Sequence, residues 1–238
     1  PLTSDNCPNL SYELDIDTLD CTNLGVNTIN VTVTDGSGNA TTAPVMVTVW
    51  DRIAPTVITK DVTLSLDANG NATVTAADID DGTYDNCEFT LSVEEINFDC
   101  SNVGSQTNVT LTAIDSSGNT SSGTAVVTII DNSGPTITAN DIEVQLDEAG
   151  VASITVADVD GGTVDNCGVS TVTIDIDSFD CSNLGQNTVT ITATDIHGNS
   201  HSIDFDITVN DTELPIESTI PDDIVLENQS RYDDRHVC

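Results

Sequence analysis

Two ten-residue stretches concentrate the groups that could do chemistry. They are Asp158-Val-Asp-Gly-Gly-Thr-Val-Asp-Asn-Cys167 and Asp78-Ile-Asp-Asp-Gly-Thr-Tyr-Asp-Asn-Cys87. A clipped third copy, Ser4-Asp-Asn-Cys7, stands near the start. The Asp-Asn-Cys triplets begin at Asp5, Asp85 and Asp165, an interval of 80 residues each time. So regular a period marks tandem structural units. Carboxylates this close repel one another unless a cation sits among them, and hard oxygen donors on a flexible loop suit calcium. Asp and Gly are also ordinary turn formers, and such turns need no metal.

The elements that must position these loops are short strands. Apolar residues alternate with Thr, Asp and Ser at Val62-Leu64-Leu66, Leu91-Val93, Val109-Leu111-Ala113, Ile142-Val144-Leu146, Val172-Ile174-Ile176, Val189-Ile191-Ala193 and Phe205-Ile207-Val209. The period is 2 throughout, the mark of antiparallel sheets with one wet face. Ala72-Val74-Ala76 and Ala152-Ile154-Val156 are expected to pair with the strands before them through tight turns such as Asn69-Gly70. Strand direction can then be counted through the repeat. The count brings Asp131, Asp158, Asp160, Asp165 and Asp195 to one pole, and likewise Asp51, Asp78, Asp80, Asp85 and Asp115. Asp35 and Asp211 are the corresponding residues of incomplete copies. Such a pole supplies enough oxygens for calcium, and these twelve residues are the candidate ligands.

The composition bounds the partners. Four Lys and Arg stand against forty Asp and Glu, a net charge of −36. That field repels nucleic acid and anionic membranes. With 37% hydrophobic residues the chain still has material for a core. Only 3% are aromatic, so the core must be built from Val, Ile, Leu and Ala. No stretch is long and apolar enough to span a membrane. The chain opens on Pro1 with no signal-peptide pattern, as in a mature, processed or excerpted piece of a secreted protein. Catalysis finds no support: the paired carboxylates sit in repeated turns, and His197, His201 and His236 do not follow the period.

Six of the seven cysteines pair off by position, Cys7 with Cys21, Cys87 with Cys100 and Cys167 with Cys181. This predicts one disulfide per repeat and an oxidising compartment. There is a geometric tension, because a nine-residue strand would carry the two cysteines of a pair about 30 Å apart. The intervening segment must bend back for the pair to close.

About 80 residues with six or seven short strands predict an all-β fold, immunoglobulin-like β-sandwiches in a linear array. Residues 1–50 read as the second part of a repeat, 51–130 and 131–210 as complete repeats, and 211–238 as the first part of another. Asp-X-X-X-Pro at 51, 131 and 211, Asp-Asn-Cys at 5, 85 and 165, Phe-Asp-Cys at 98–100 and 179–181, and Asp-X-X-Gly-Asn at 35, 115 and 195 recur in order. This set resembles the HYR-like immunoglobulin-like repeats of large surface proteins of bacteria, especially of the Bacteroidetes kind. The resemblance covers almost the whole chain and implies a structural role outside a bacterial cell, as a filament subunit or an adhesin stalk. A binding module for a glycan or protein ligand is the alternative. Similar repeats often carry a further Cys after the Gly-Asn turn, and this chain has none there.

The partial repeats also predict assembly. Residues 211–238 of one subunit would complete residues 1–50 of the next, head to tail, giving a homo-polymer. Ile224 and Leu226 would enter the core beside Val31, Val45 and Val47. Arg231 and Arg235 would meet an N-terminal half without basic residues, and Cys238 would lie beside Pro1 of the next chain. An arbitrary window on a longer repeat protein would give the same ends.

Overall fold

The computed structural model of the chain describes residues 9–213. Cys7 and the assembly residues Ile224, Leu226, Arg231, Arg235 and Cys238 lie outside the described residues. The chain divides into two compact units. The first holds the chain up to Leu64 with Thr73–Asn97 and Ser105–Thr128; the second holds Ser65–Ala72, Phe98–Gly104 and the chain from Ile129 on.

In the first unit, β1 (Ser11–Leu14), β2 (Gly25–Thr34) and β3 (Ala40–Val49) form a sheet in that order. The alternation sets the register: Leu14 faces Val31 and Ile29 faces Val45, so the apolar side chains share one face. Along the chain there follow β4 (Val62–Ser65), β5 (Asn71–Thr73), the one-turn helix α1 (Ala76–Ile79), β6 (Phe89–Val93), β7 (Asn97–Asp99), β8 (Gln106–Asp115) and β9 (Thr120–Ile130), of which most of β5 and β7 belongs to the second unit. A four-stranded sheet runs β4-β9-β8-β6, and β5 pairs with β7.

The second unit continues with β10 (Ile142–Gln145), β11 (Val151–Ser153), the one-turn helix α2 (Val156–Val159), β12 (Val169–Ile174), β13 (Ser178–Asp180), β14 (Gly185–Asp195) and β15 (Ser200–Asn210). One layer is the sheet β10-β15-β14-β12 and the other is the pair β11-β13. Val189 and Ile191 of β14 and Ile207 and Val209 of β15 are buried against Leu146, Ile154, Val159 and Phe179. The opposite face of β14 and β15 is a row of hydroxyls and carboxylates, as where Thr190 donates to Asp204 over 2.9 Å. This is the all-β, immunoglobulin-like sandwich that the period-2 pattern predicts.

Two details differ from the sequence expectation. Strands 142–146 and 152–156 do not pair with each other. β10 lies parallel to β15, with Ile142 opposite Ile207, and β11 lies antiparallel to β13, with Ala152 opposite Phe179. The turn from Asp147 to Val151 therefore carries the chain from one layer to the other. Nor does the second strand reach residue 156. Thr155 starts α2, and the Asp158 carboxylate accepts hydrogen bonds from the Thr155 N–H and hydroxyl at 2.7 Å. One turn of helix buries Val159 completely, which a continuing strand at that place would not do.

Candidate metal centres and the disulfides beside them

Each candidate centre is made by three segments far apart in sequence. In the first unit, carboxylate oxygens of Asp51, Asp85 and Asp115 lie within 4.8 Å of one another. In the second, those of Asp131, Asp165 and Asp195 do the same. Asp51 and Asp131 follow the long strands β3 and β9. Asp85 and Asp165 sit in the loops before β6 and β12, and Asp115 and Asp195 end β8 and β14.

The local scaffolding is the same in both. Asp115 Oδ1 accepts from the N–H groups of Ser117 and Asn119 at 2.8 Å, and its Oδ2 accepts from Asn119 Nδ2 at 2.7 Å. Asn119 Nδ2 also reaches the Asp51 carbonyl at 3.3 Å. In the second unit Asp195 accepts from the N–H groups of His197 and Asn199, and Asn199 Nδ2 reaches the Asp131 carbonyl at 3.2 Å. The Asn of the Asp-X-X-Gly-Asn motif therefore ties two of the three acidic segments together. Burial pushes the Asp115 and Asp195 carboxyls up, but hydrogen bonds from Asn119 and Asn199, together with turn N–H groups, outweigh it and hold both below the ordinary carboxylate value. These groups stay charged.

The third member is held by its own loop. Asp165 Oδ1 accepts from the N–H groups of Cys167 and Gly168 at 2.8 and 3.1 Å. Asp85 Oδ2 accepts from Cys87 N–H at 3.4 Å. Two carboxylate oxygens are left over: Asp51 Oδ2 and Asp165 Oδ2 are buried, and no hydrogen bond reaches either among the described residues. A buried, charged oxygen without a partner is costly unless a cation meets it. The hydrogen bond between His197 Nδ1 and Asp131 Oδ2, 3.2 Å long, does not touch them.

The other predicted ligands stand elsewhere. Asp78 and Asp158 cap the one-turn helices by accepting from Thr75 and Thr155. Asp80 and Asp160 accept from the N–H groups of Thr83 and Thr163. Those hydrogen bonds, the hydroxyls first, hold all four carboxyls below the ordinary value. They are turn residues in the sense of the metal-free alternative. Asp35 makes the same turn as Asp115, with Asn39 Nδ2 donating to it at 2.9 Å, and Asp211 accepts from Glu213 N–H. Neither joins a three-carboxylate group among the described residues.

The disulfides differ from the predicted pairs. Cys21 bonds Cys87 and Cys100 bonds Cys167, with Cα–Cα distances of 5.5 and 5.4 Å. Cys21 is therefore not paired with Cys7, nor Cys87 with Cys100, nor Cys167 with Cys181. Cys181 is itself disulfide-bonded. The reason is the tension noted above. Between Cys167 and Cys181 the chain runs through β12 and β13, which belong to different sheets. The loop cysteine instead meets the cysteine that opens the 3-10 turn of the preceding sequence repeat.

No family model matches the chain, and no curated protein matches it. Among solved structures, it is similar to protocadherin Gamma B7 extracellular cadherin domains 1–4, with a TM-score of 0.30 and 17% identity over 84% of this chain and 67% of that one. Protocadherin Gamma B2 extracellular cadherin domains 1–5 give 0.32 and 16% over 87% of this chain, which spans 53% of that one. Sidekick-1 immunoglobulin domains 1–4 give 0.32 and 10%, over 88% and 69%. The functional reading rests on the carboxylate groups themselves.

His197 and the two asparagines are the site residues that sequence reasoning passed over. His197 stands where the preceding repeat has Ser117, so it breaks the period. Asn119 and Asn199 close the Asp-X-X-Gly-Asn turns, and their reach to a second segment has no sequence signal. Trp50 and Tyr84 are exposed at 72% and 59%.

Proposed function

We propose that this chain is an extracellular structural protein whose successive repeats are stiffened by calcium. The observation that carries this reading is the pair of buried carboxylate oxygens without partners, Asp51 Oδ2 and Asp165 Oδ2, each beside two further carboxylates. Three Asp side chains in one place fit a hard divalent cation, which calcium satisfies with additional carbonyl and water oxygens. Asp51, Asp85 and Asp115 would hold one ion, and Asp131, Asp165 and Asp195 another. The bound ion supplies charge neutralisation. The disulfides support an oxidising compartment. The likeness to HYR-like repeats supports a place on a bacterial cell surface, as filament subunit or adhesin stalk.

The finer reading is head-to-tail polymerisation, with the segment carrying Ile224 and Leu226 adding to β3 of another copy. It is supported by the apolar face of the β1–β3 sheet, where only Ile29 is buried while Leu14 and Val45 are about half exposed. A chain lacking residues 216–238 should then form no fibres in the electron microscope. Fibres of unchanged repeat would remove that reading. For calcium, melting with 1 mM calcium against chelator is the test, since a ligand bound only by the folded state raises its stability. Identical curves would remove the metal.

A further inference from the structure

Each metal-centre candidate has a disulfide two residues from its loop carboxylate. In the second unit the Asp165-Asn-Cys167 segment is held on three sides. The Asp165 carboxylate accepts from Cys167 N–H at 2.8 Å. Asn166 Nδ2 donates to the Asp67 carbonyl at 3.1 Å. Cys167 is bonded to Cys100, whose Sγ lies 3.5 Å from the Asn166 carbonyl. There is no slack in this packing. A Cβ on Gly70 would meet both the Asn166 carbonyl oxygen and Cys100 Sγ at 2.8 Å. The cysteine also borders the acidic group: Cys167 Sγ lies within 4.8 Å of oxygen and nitrogen atoms of Asp131 and His197. The first unit repeats the arrangement, with Cys21 Sγ 3.1 Å from the Asn86 carbonyl and Asp85 bonded to Cys87 N–H.

We infer that the Cys100–Cys167 disulfide is the positioning element of the Asp131, Asp165 and Asp195 centre, so that reduction of the disulfide and loss of the cation are one coupled event. The inference rests on the calcium reading above. The carboxylate that carries the orphaned oxygen is fixed through a backbone N–H of the cross-linked residue. Cutting the cross-link returns conformational freedom to the loop, and binding a cation must then order it again. A dithiol reductant would do this by balanced exchange. Its thiolate attacks one sulfur to give a mixed disulfide, its second thiol closes on the first, and two protein thiols and a cyclic disulfide result. Linkage is reciprocal: whatever factor the disulfide adds to calcium affinity, calcium adds to the disulfide's resistance to reduction. The centre would thus hold firm in an oxidising, calcium-rich medium and loosen where either is withdrawn.

The test uses the full 238-residue chain and calcium chloride as the only ligand. Calcium titration by calorimetry on the oxidised chain should show two sites, and the dithiothreitol-reduced chain should bind about tenfold or more weakly. The reverse measurement needs no variant: alkylation and mass spectrometry at equilibrium should show that half-reduction of the Cys100–Cys167 bond needs an about tenfold higher ratio of reduced to oxidised dithiothreitol in excess calcium than in chelator. The paired variant C100S/C167S, checked for retained sheet content by circular dichroism, should weaken the second-unit centre and leave the first-unit centre unchanged. If the oxidised and reduced chains bind calcium equally, the coupling is wrong and the calcium reading stands. If the oxidised chain binds none, the calcium reading fails and takes the coupling with it.

Discussion

Asp165→Asn should change sign with calcium. Without the ion, Asp165 faces Asp131 and Asp195 within 4.8 Å, and its Oδ2 is buried without a partner. Each like-charge pair at that distance costs from about 1 kcal/mol in a water-like dielectric to about 3.5 kcal/mol at an effective value of 20. The Asn side chain keeps an Oδ1 acceptor for the Cys167 and Gly168 N–H groups and places an NH2 donor where the orphaned oxygen stood. In chelator the variant should therefore be more stable by about 2 kcal/mol, the lower end of two pairs. For a unit of roughly 100 residues that is a rise of about 8 °C in the second unit's melting temperature. In calcium the order should invert. The wild type gains about 2.7 kcal/mol at one hundred times its dissociation constant, and the variant, short of one charged ligand, gains little. Differential scanning calorimetry of both proteins with 1 mM calcium and with chelator measures the four values. A variant destabilised equally in both conditions would refute the electrostatic argument, because that is the signature of a purely structural turn residue.

Three further outcomes follow from the geometry. Ile191→Ala empties a fully buried site in the core of the second unit and should cost about 2–5 kcal/mol in denaturant melts, whereas Ile196→Ala, at 57% exposure, should stay within about 0.5 kcal/mol. Acid should melt the protein only below about pH 4. Hydrogen bonds from Ser101, Ser182 and Thr155 hold Asp99, Asp180 and Asp158 below the ordinary carboxylate value, so their contribution is complete above the unfolded pKa and disappears as pH falls through the folded one; a loss of melting temperature between pH 5 and 7 would contradict this. Gly70→Ala should slow formation of the Cys100–Cys167 bond, read by thiol counting during oxidative refolding, because its Cβ would collide with Cys100 Sγ and the Asn166 carbonyl. Gly118→Ala shares the positive φ but opens on empty space, so it should strain its turn without affecting oxidation.

Much of this molecule is legible in one dimension. The alternation of Val189, Ile191 and Ala193 with Thr fixes which face of β14 is buried, because successive side chains on a strand point to opposite sides. The 80-residue recurrence of Asp51, Asp85 and Asp115 in Asp131, Asp165 and Asp195 shows that whatever one triad does, its twin is built to do. No helix among the described residues is long and apolar enough to cross a membrane. The partners of each element were not legible. Ile142–Gln145 has the same pattern whether it pairs with the strand after it or, as it does, with β15 some sixty residues on. Alternation specifies a face, and either neighbour offers the same backbone groups. Asp158 and Asp165 look alike as loop carboxylates, yet one caps a helix turn and the other joins a triad. Cys167 has a cysteine 14 residues ahead and another 67 behind, and it bonds the distant one. Sequence separation sets the entropy of closing a loop, but the geometry of a disulfide requires two Cα atoms within about 7 Å, and only the folded chain decides which cysteines come that close.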